Sequence, residues 1–170
     1  MRLSLLAFIV IVEICSLIRR RYIILGGNKM KIISFDEEYR DDMIYMVLSA
    51  KNALGRIPTL NEDLLDIRKN YFDKGQPFWI AVNEFDRVIG CIGTRIDEQN
   101  KLFLSRLYVK FDCKRNGVGS KLLELAEKSA KDRGFKEIYV HLGKDYLESQ
   151  IFYPKHGYVE YKEWYMKKVL

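Results

Sequence analysis

From Met30 onward the apolar positions follow two rhythms, one strand-like and one helical, that replace each other along the chain. Residues 32–35 read as a short strand. Over 36–54, Met43, Val47, Ala50 and Leu54 recur at helical spacing, acids crowd the start and Gly55 follows; this predicts a helix stopped by the glycine. Thr59-Leu60-Asn61-Glu62 has the form of a capping box. It predicts a second helix, with Leu64, Ile67 and Tyr71 on one face, ending before Gly75. Three β-rich runs at 78–82, 87–96 and 102–109, joined by polar turns at 83–86 and 97–101, have the pattern of an antiparallel meander. A long amphipathic helix is predicted over 117–133, through Val118, Leu122, Leu125, Ala126 and Ser129, closed by Gly134. A strand at 138–142, a shorter helix at 147–156 and a hairpin over 158–170 complete the order. The helix between the strands at 102–109 and 138–142 makes that pair parallel. The expected fold class is α/β, of the α+β kind: one domain over 30–170, its sheet mixed and mostly antiparallel, with helices on both faces.

Residues 1–29 stand apart as an N-terminal extension. The stretch 3–18 is largely apolar but interrupted by Glu13, and Arg19-Arg20-Arg21 follows it. It falls short of the roughly 20 residues a spanning helix needs. A secretory signal would carry its positive charge ahead of the apolar run, with a cleavage site after it. Gly26-Gly27-Asn28-Lys29, just before Met30, are the residues that a purine-rich bacterial ribosome-binding site would encode if translated. The extension therefore reads as a start-site artefact, with a short hydrophobic leader as the alternative.

The net charge of +6 changes meaning once it is located. Five of the 29 basic residues and one of the 23 acidic ones fall within 1–29, leaving 24 and 22 and a net of +2 for the domain. That near-neutral domain gives no electrostatic footprint for nucleic acid. A membrane partner is expected only if 1–29 is part of the protein. Cys15, Cys91 and Cys113 form neither a disulfide framework nor a metal spacing. Reduced thiols fit a cytoplasmic protein, and no metal is expected.

The candidate chemistry begins at Lys114-Arg115-Asn116-Gly117-Val118-Gly119-Ser120, between a predicted strand and the long helix. Such a turn exposes consecutive main-chain N–H groups at the positive end of a helix dipole, a setting that suits pyrophosphate. The dinucleotide fingerprint would need a third glycine at Leu122, and the Walker loop a Gly-Lys-Ser/Thr run; neither is present. On its own the loop is equally a tight turn entering a glycine-tolerant helix.

Leu107-Tyr108-Val109 followed by Lys114-Arg115-Asn116-Gly117-Val118-Gly119 resembles the acetyl-CoA signature of the GNAT N-acetyltransferase superfamily, Gln/Arg-x-x-Gly-x-Gly/Ala. Phe152-Tyr153-Pro154-Lys155-His156-Gly157-Tyr158 resembles the family's Phe-Tyr-x-Lys-x-Gly-Phe segment. The resemblance runs over essentially all of 30–170. It implies acetyl-CoA as co-substrate, with main-chain amides of Arg115, Asn116, Gly117, Val118, Gly119 and Ser120 on its pyrophosphate. It also implies that the pantetheine arm pairs with the strand at Leu107, Tyr108 and Val109, where the parallel strands splay apart. Tyr153 then matches the tyrosine that protonates the leaving thiolate. Three positions depart from the family pattern. Lys114 replaces the planar Gln/Arg side chain with a point charge, Phe103 stands where many members carry a glutamate base, and Tyr146 lies near a frequent asparagine. Glu62, Asp63, His141 or a water chain are substitutes for the base. Cys113 admits an acyl-cysteine route, although the family usually transfers directly.

The expected acceptor is the primary amine of a small metabolite or an amino-acid-like substrate. It would be selected by the helical pair 36–71, the loop 56–58 and the terminal hairpin; a homodimer is compatible with the reading. Acetylation of a macromolecule (a protein amine or an aminoacyl-tRNA) and a silent CoA-binding module are the rival readings. For the extension, the native protein should begin at Met30. Peptides from within 1–29, seen by mass spectrometry of protein from its own host, would overturn the start-site reading.

Overall fold

In the computed structural model, which describes residues 30–144 and 146–170, seven strands form one sheet. They are β1 (Lys31–Ser34), β2 (Phe78–Val82), β3 (Val88–Ile96), β4 (Leu102–Val109), β5 (Glu137–His141), β6 (Val159–Lys162) and β7 (Tyr165–Val169). Their spatial order is β1-β2-β3-β4-β5-β7-β6. Every pairing is antiparallel except β4 with β5. The expectation for 1–29 lies outside the described residues.

Helix α1 (Arg40–Ala53) and the single turn α2 (Ile67–Asn70) lie on one face of the sheet; α3 (Val118–Asp132) and α4 (Leu147–Lys155) lie on the other. Alternation along the strands sorts two cores. Ala81, Ile89, Leu102, Leu104, Ile138 and Val140 meet Leu122, Leu123, Ala126 and Tyr153. Ile80, Val82, Val88 and Cys91 meet Met43, Met46, Val47, Leu64 and Tyr71. Strand β3, covered on both faces, is apolar without alternation, as such strands are. Its glycines create room. A Cβ on Gly90 would lie 2.9 Å from Leu122 Cδ1, and one on Gly93 would lie 2.6 Å from Phe78 Cδ2 and 2.7 Å from Tyr71 Cε1.

Two predicted helices differ from expectation. The first begins with a 3-10 turn at Glu37–Tyr39, capped by Asp36 accepting from the Glu38 N–H, before α1 starts. The second is broken into a 3-10 turn at Glu62–Leu65, the single turn α2 and another 3-10 turn at Phe72–Lys74. The capping box does not form: the Thr59 N–H, which the Glu62 side chain would take, donates to the Ile57 carbonyl (2.8 Å), while Lys51 Nζ holds the Thr59 carbonyl (2.5 Å) and Asn61 Oδ1 (3.2 Å). Asp66 starts a new turn instead, accepting from the Lys69 N–H. Tertiary contacts outweigh local propensity here.

Strands β4 and β5 pair at only two positions, Phe103 with Tyr139 and Leu104 with Val140. Beyond Leu104 the two strands separate, so among the described residues β4 from Ser105 to Val109 has no strand partner on that side. On its other side β4 bulges against β3: Arg106 and Leu107 together oppose Ile92, and Arg106 adopts φ +58°. Gly93→Ala should destabilise the fold by about 1–3 kcal/mol, because two buried aromatic rings must move. The check is a lower urea midpoint with an unchanged m-value.

Candidate active site

The turn from β4 into α3 leaves a row of donors. Arg115 and Gly117 take left-handed conformations at φ +64° and +78°. Among the described residues, none of the main-chain N–H groups from Arg115 to Ser120 donates to a carbonyl, and the first helical bond is Lys121 N–H to the Gly117 carbonyl. A Cβ at Gly117 would meet nothing within 4 Å; its glycine serves the backbone conformation. Ser120 Oγ lies 2.9 Å from His156 Nε2, and His156 Nδ1 lies 2.8 Å from the Phe152 carbonyl. That carbonyl can only accept, so Nδ1 carries a proton and Ser120 can donate to Nε2. The start of α3 is thereby tied to the end of α4.

These elements border a cleft of about 710 Å³. Of the sequence-predicted residues, Leu107, Tyr108, Val109, Lys114, Arg115, Gly117, Gly119, Ser120 and Tyr153 line it together. Asn116 points to solvent and Val118 into the core, so they could contribute only main-chain groups to the loop. Tyr153 is buried, and its hydroxyl forms no hydrogen bond among the described residues; burial pushes its pKa up. It therefore stays protonated. Pro154 sits in the last turn of α4 without ending the helix before Tyr153. Arg56, after α1, spans the cleft to Glu148 on α4 through two 3.0 Å bonds and lies 3.7 Å above the Tyr146 ring.

A charged network that no local sequence pattern predicts lies behind the bulge. Asp63, from the turn before α2, accepts from Arg106 Nε (3.0 Å) and Nη2 (2.6 Å), from the Tyr71 hydroxyl (2.7 Å) and from Arg95. Tyr71 also meets Ser105 Oγ at 3.3 Å. Burial pushes the Asp63 carboxyl up, but Arg106, Tyr71 and Arg95 outweigh it and hold it below the usual carboxylate range. Lys51, 4% exposed, bonds only neutral oxygens; burial and the Arg106 cation push its ammonium down. The one signal available beforehand was the presence of arginine inside two apolar strand patterns.

The base candidates separate accordingly. Asp63 is saturated by donors and is a poor base. Glu62 is exposed on its turn. His141 ends β5 beside the fork, exposed and stacked on Tyr165 at 4.4 Å. Phe103 packs against Tyr139 and Tyr165. Burial and Asp112 raise the Cys113 thiol, which disfavours the thiolate an acyl-cysteine route requires.

The acetyltransferase (GNAT) family matches residues 35–158. The chain belongs to that family. Its fold is similar to a GNAT-family acetyltransferase from Staphylococcus aureus Mu50, with a TM-score of 0.75 and 25% identity over 83% of this chain and 99% of that one. It is also similar to the PaiA N-acetyltransferase of Thermoplasma acidophilum solved with coenzyme A, with a TM-score of 0.65 and 22% identity over 84% and 99%. Human N-acetyltransferase 8 is 29% identical over 106 residues, 59% of this chain and 46% of that protein. The chain thus matches about half the length of that curated relative. The span matched by the family contains the loop at 114–120, Tyr153 and Phe103. Among the described residues no helix is long and apolar enough to cross a membrane, and no cluster of three or more His, Cys, Asp or Glu residues could hold a metal.

Removing the carboxylate from the Asp63 network should cost about 3–5 kcal/mol, because two arginines lose their partner. With its pKa depressed in the folded state, Asp63 stabilises above its unfolded pKa of about 3.9, and that stability is lost as pH falls through the lower folded value. Urea midpoints of wild type and Asp63→Asn should therefore differ at pH 7 and begin to draw together as pH falls below about 4.

Proposed function

We propose that the chain transfers the acetyl group of acetyl-CoA directly to the primary amine of a small, amino-acid-like acceptor. The observation that carries this reading is the meeting, in one cleft, of unpaired N–H groups at the start of α3 and unpaired strand backbone along β4. Acetyl-CoA supplies an anionic pyrophosphate, an extended amide-bearing arm and an activated acyl group. The residues fit it part by part. Arg115, Asn116, Gly117, Val118, Gly119 and Ser120 offer main-chain donors to the phosphates, with the Lys114 and Arg115 side chains adding charge. Leu107, Tyr108 and Val109 offer strand backbone to the arm, as in strand addition to a sheet edge.

Transfer forms a bond from the amine nitrogen to the acyl carbon and breaks the bond from that carbon to sulfur. The proton lost by nitrogen ends on the thiol. A lysine-like amine, with a pKa near 10.4, must first lose its ammonium proton. His141, exposed at the fork with no hydrogen bond on its ring among the described residues, is the candidate the geometry favours. Main-chain N–H groups of β4 at 107–109 would face the developing oxyanion. Tyr153 donates to the departing sulfur. An ordinary tyrosine pKa of about 10 exceeds a thiol's by about 1.5 units, so full transfer is uphill by about 2 kcal/mol before burial adds to it. Tyr153 therefore acts as a relay, giving its proton to sulfur as it recovers one from nitrogen.

The test follows thiol release from acetyl-CoA with a panel of amines, beside a no-amine control. Tyr153→Phe should lower kcat by about 10²- to 10⁴-fold while leaving acetyl-CoA affinity, read calorimetrically, unchanged. Full activity in that variant would remove Tyr153 from the reaction. Binding of acetyl-CoA without transfer to any amine would favour a silent module.

A further inference from the structure

The face of the sheet that carries α1 presents, at the fork, a set of charged and aromatic groups of which the transfer step uses only His141. Ser105 and Arg106 come from β4 and His141 from β5, with Tyr165 of β7 stacked on His141. Arg95 is the register partner of Phe103, which in turn pairs with Tyr139. A row from guanidinium to aromatic platform therefore runs across the sheet to the point where β4 and β5 part. Phe103 lies 5.4 Å from Tyr139 and 6.3 Å from Tyr165, centroid to centroid.

The charge here does not balance. Lys51, Arg95 and Arg106 surround the single carboxylate of Asp63. The nearby Arg56 cation is matched by Glu148. Two positive charges are left without a carboxylate in a half-buried setting, an arrangement that costs free energy until an anion arrives. The donors are unspent as well. Arg106 binds Asp63 through Nε and Nη2, and Arg95 through Nη2 alone. Among the described residues neither Nη1 group makes a hydrogen bond, and Arg95 Nε is buried without a partner. Planar guanidinium edges of this kind match a carboxylate.

We propose that the acceptor is an α-amino acid or a derivative that keeps its free carboxylate, and that Arg95 and Arg106 bind that carboxylate at the fork. The proposal rests on the acetyltransferase reading above. The amine must sit where β4 and β5 separate in order to reach the thioester. In an α-amino acid the carboxylate is two bonds from that nitrogen, and Arg106 is two residues past the last β4–β5 pair at Leu104. The platform of Phe103, Tyr139 and Tyr165 then lies beneath the side group, which favours large apolar or aromatic amino acids.

The experiment uses the full chain and compares each of the common L-amino acids with its carboxamide, following thiol release. At neutral pH the amides present more of the reactive neutral amine, so chemistry alone favours them. The proposal expects the reverse: kcat/KM higher for the free acid by about 10- to 100-fold, the worth of hydrogen bonds to a charged group. Arg95→Gln and Arg106→Gln should erase that preference through KM, with acetyl-CoA affinity unchanged. Should Arg106→Gln unfold, Arg95→Gln, whose side chain is 42% exposed, carries the test. Amides used as well as acids, or an acid preference that survives Arg95→Gln, would overturn the proposal while leaving the transferase reading intact. Release with no amine at all would sink that reading, and this one with it.

Discussion

Strands β4 and β5 hold together for two residue pairs, and the geometry of the site follows from where that pairing stops. A parallel pair continued to Val109 would satisfy the β4 backbone and close the sheet. Stopping at Leu104 leaves strand backbone facing a cleft, and the turn that follows β4 leaves a row of amides facing the same cleft. Both sets of groups are obligatory hydrogen-bond formers left without protein partners. Solvent or a ligand must satisfy them, and a ligand with phosphates at one end and amides along its length can satisfy both at once.

An opening in a sheet needs walls that do not collapse into it. On one side the wall is the bulge, where Arg106 holds a left-handed conformation that costs a non-glycine residue roughly 1–2 kcal/mol. Asp63 and the Arg106 ion pair anchor that backbone to the turn before α2. On the other side β5 is fixed along its length by β7, from Glu137 with Val169 to His141 with Tyr165. Above, the Ser120–His156 bond ties the turn at the start of α3 to α4. Each wall is thus held by an element other than its neighbour across the opening.

Much of this was legible in the sequence, and what was not has a common cause. The meander, the crossover helix and the hairpin follow from periodicity, and the loop at 114–120 and Tyr153 from motif spacing. These are local signals. The broken helix at 62–74 escapes the local pattern because the Thr59 N–H, which a capping box would give to Glu62, donates to the Ile57 carbonyl, and Asp66 caps a new turn instead. The bulge was missed because the chain carries arginine where a glycine would have marked a left-handed residue. The Asp63 network joins residues 43 and 32 positions apart, beyond the reach of any local pattern. By its chemistry alone Asp63 reads as a candidate base. Its neighbours turn it into an anchor.

Among the described residues the sheet has two outer edges, each formed by a strand of four residues carrying lysine, β1 with Lys31 and β6 with Lys162. Short, charged margins discourage another chain from adding on. The longer unpaired stretch, Ser105 to Val109, lies indoors, facing the cleft. The molecule therefore separates two hazards that sheets usually combine. The backbone best able to recruit a guest is kept away from the surface where polypeptides meet, so its stickiness can serve recognition without inviting aggregation.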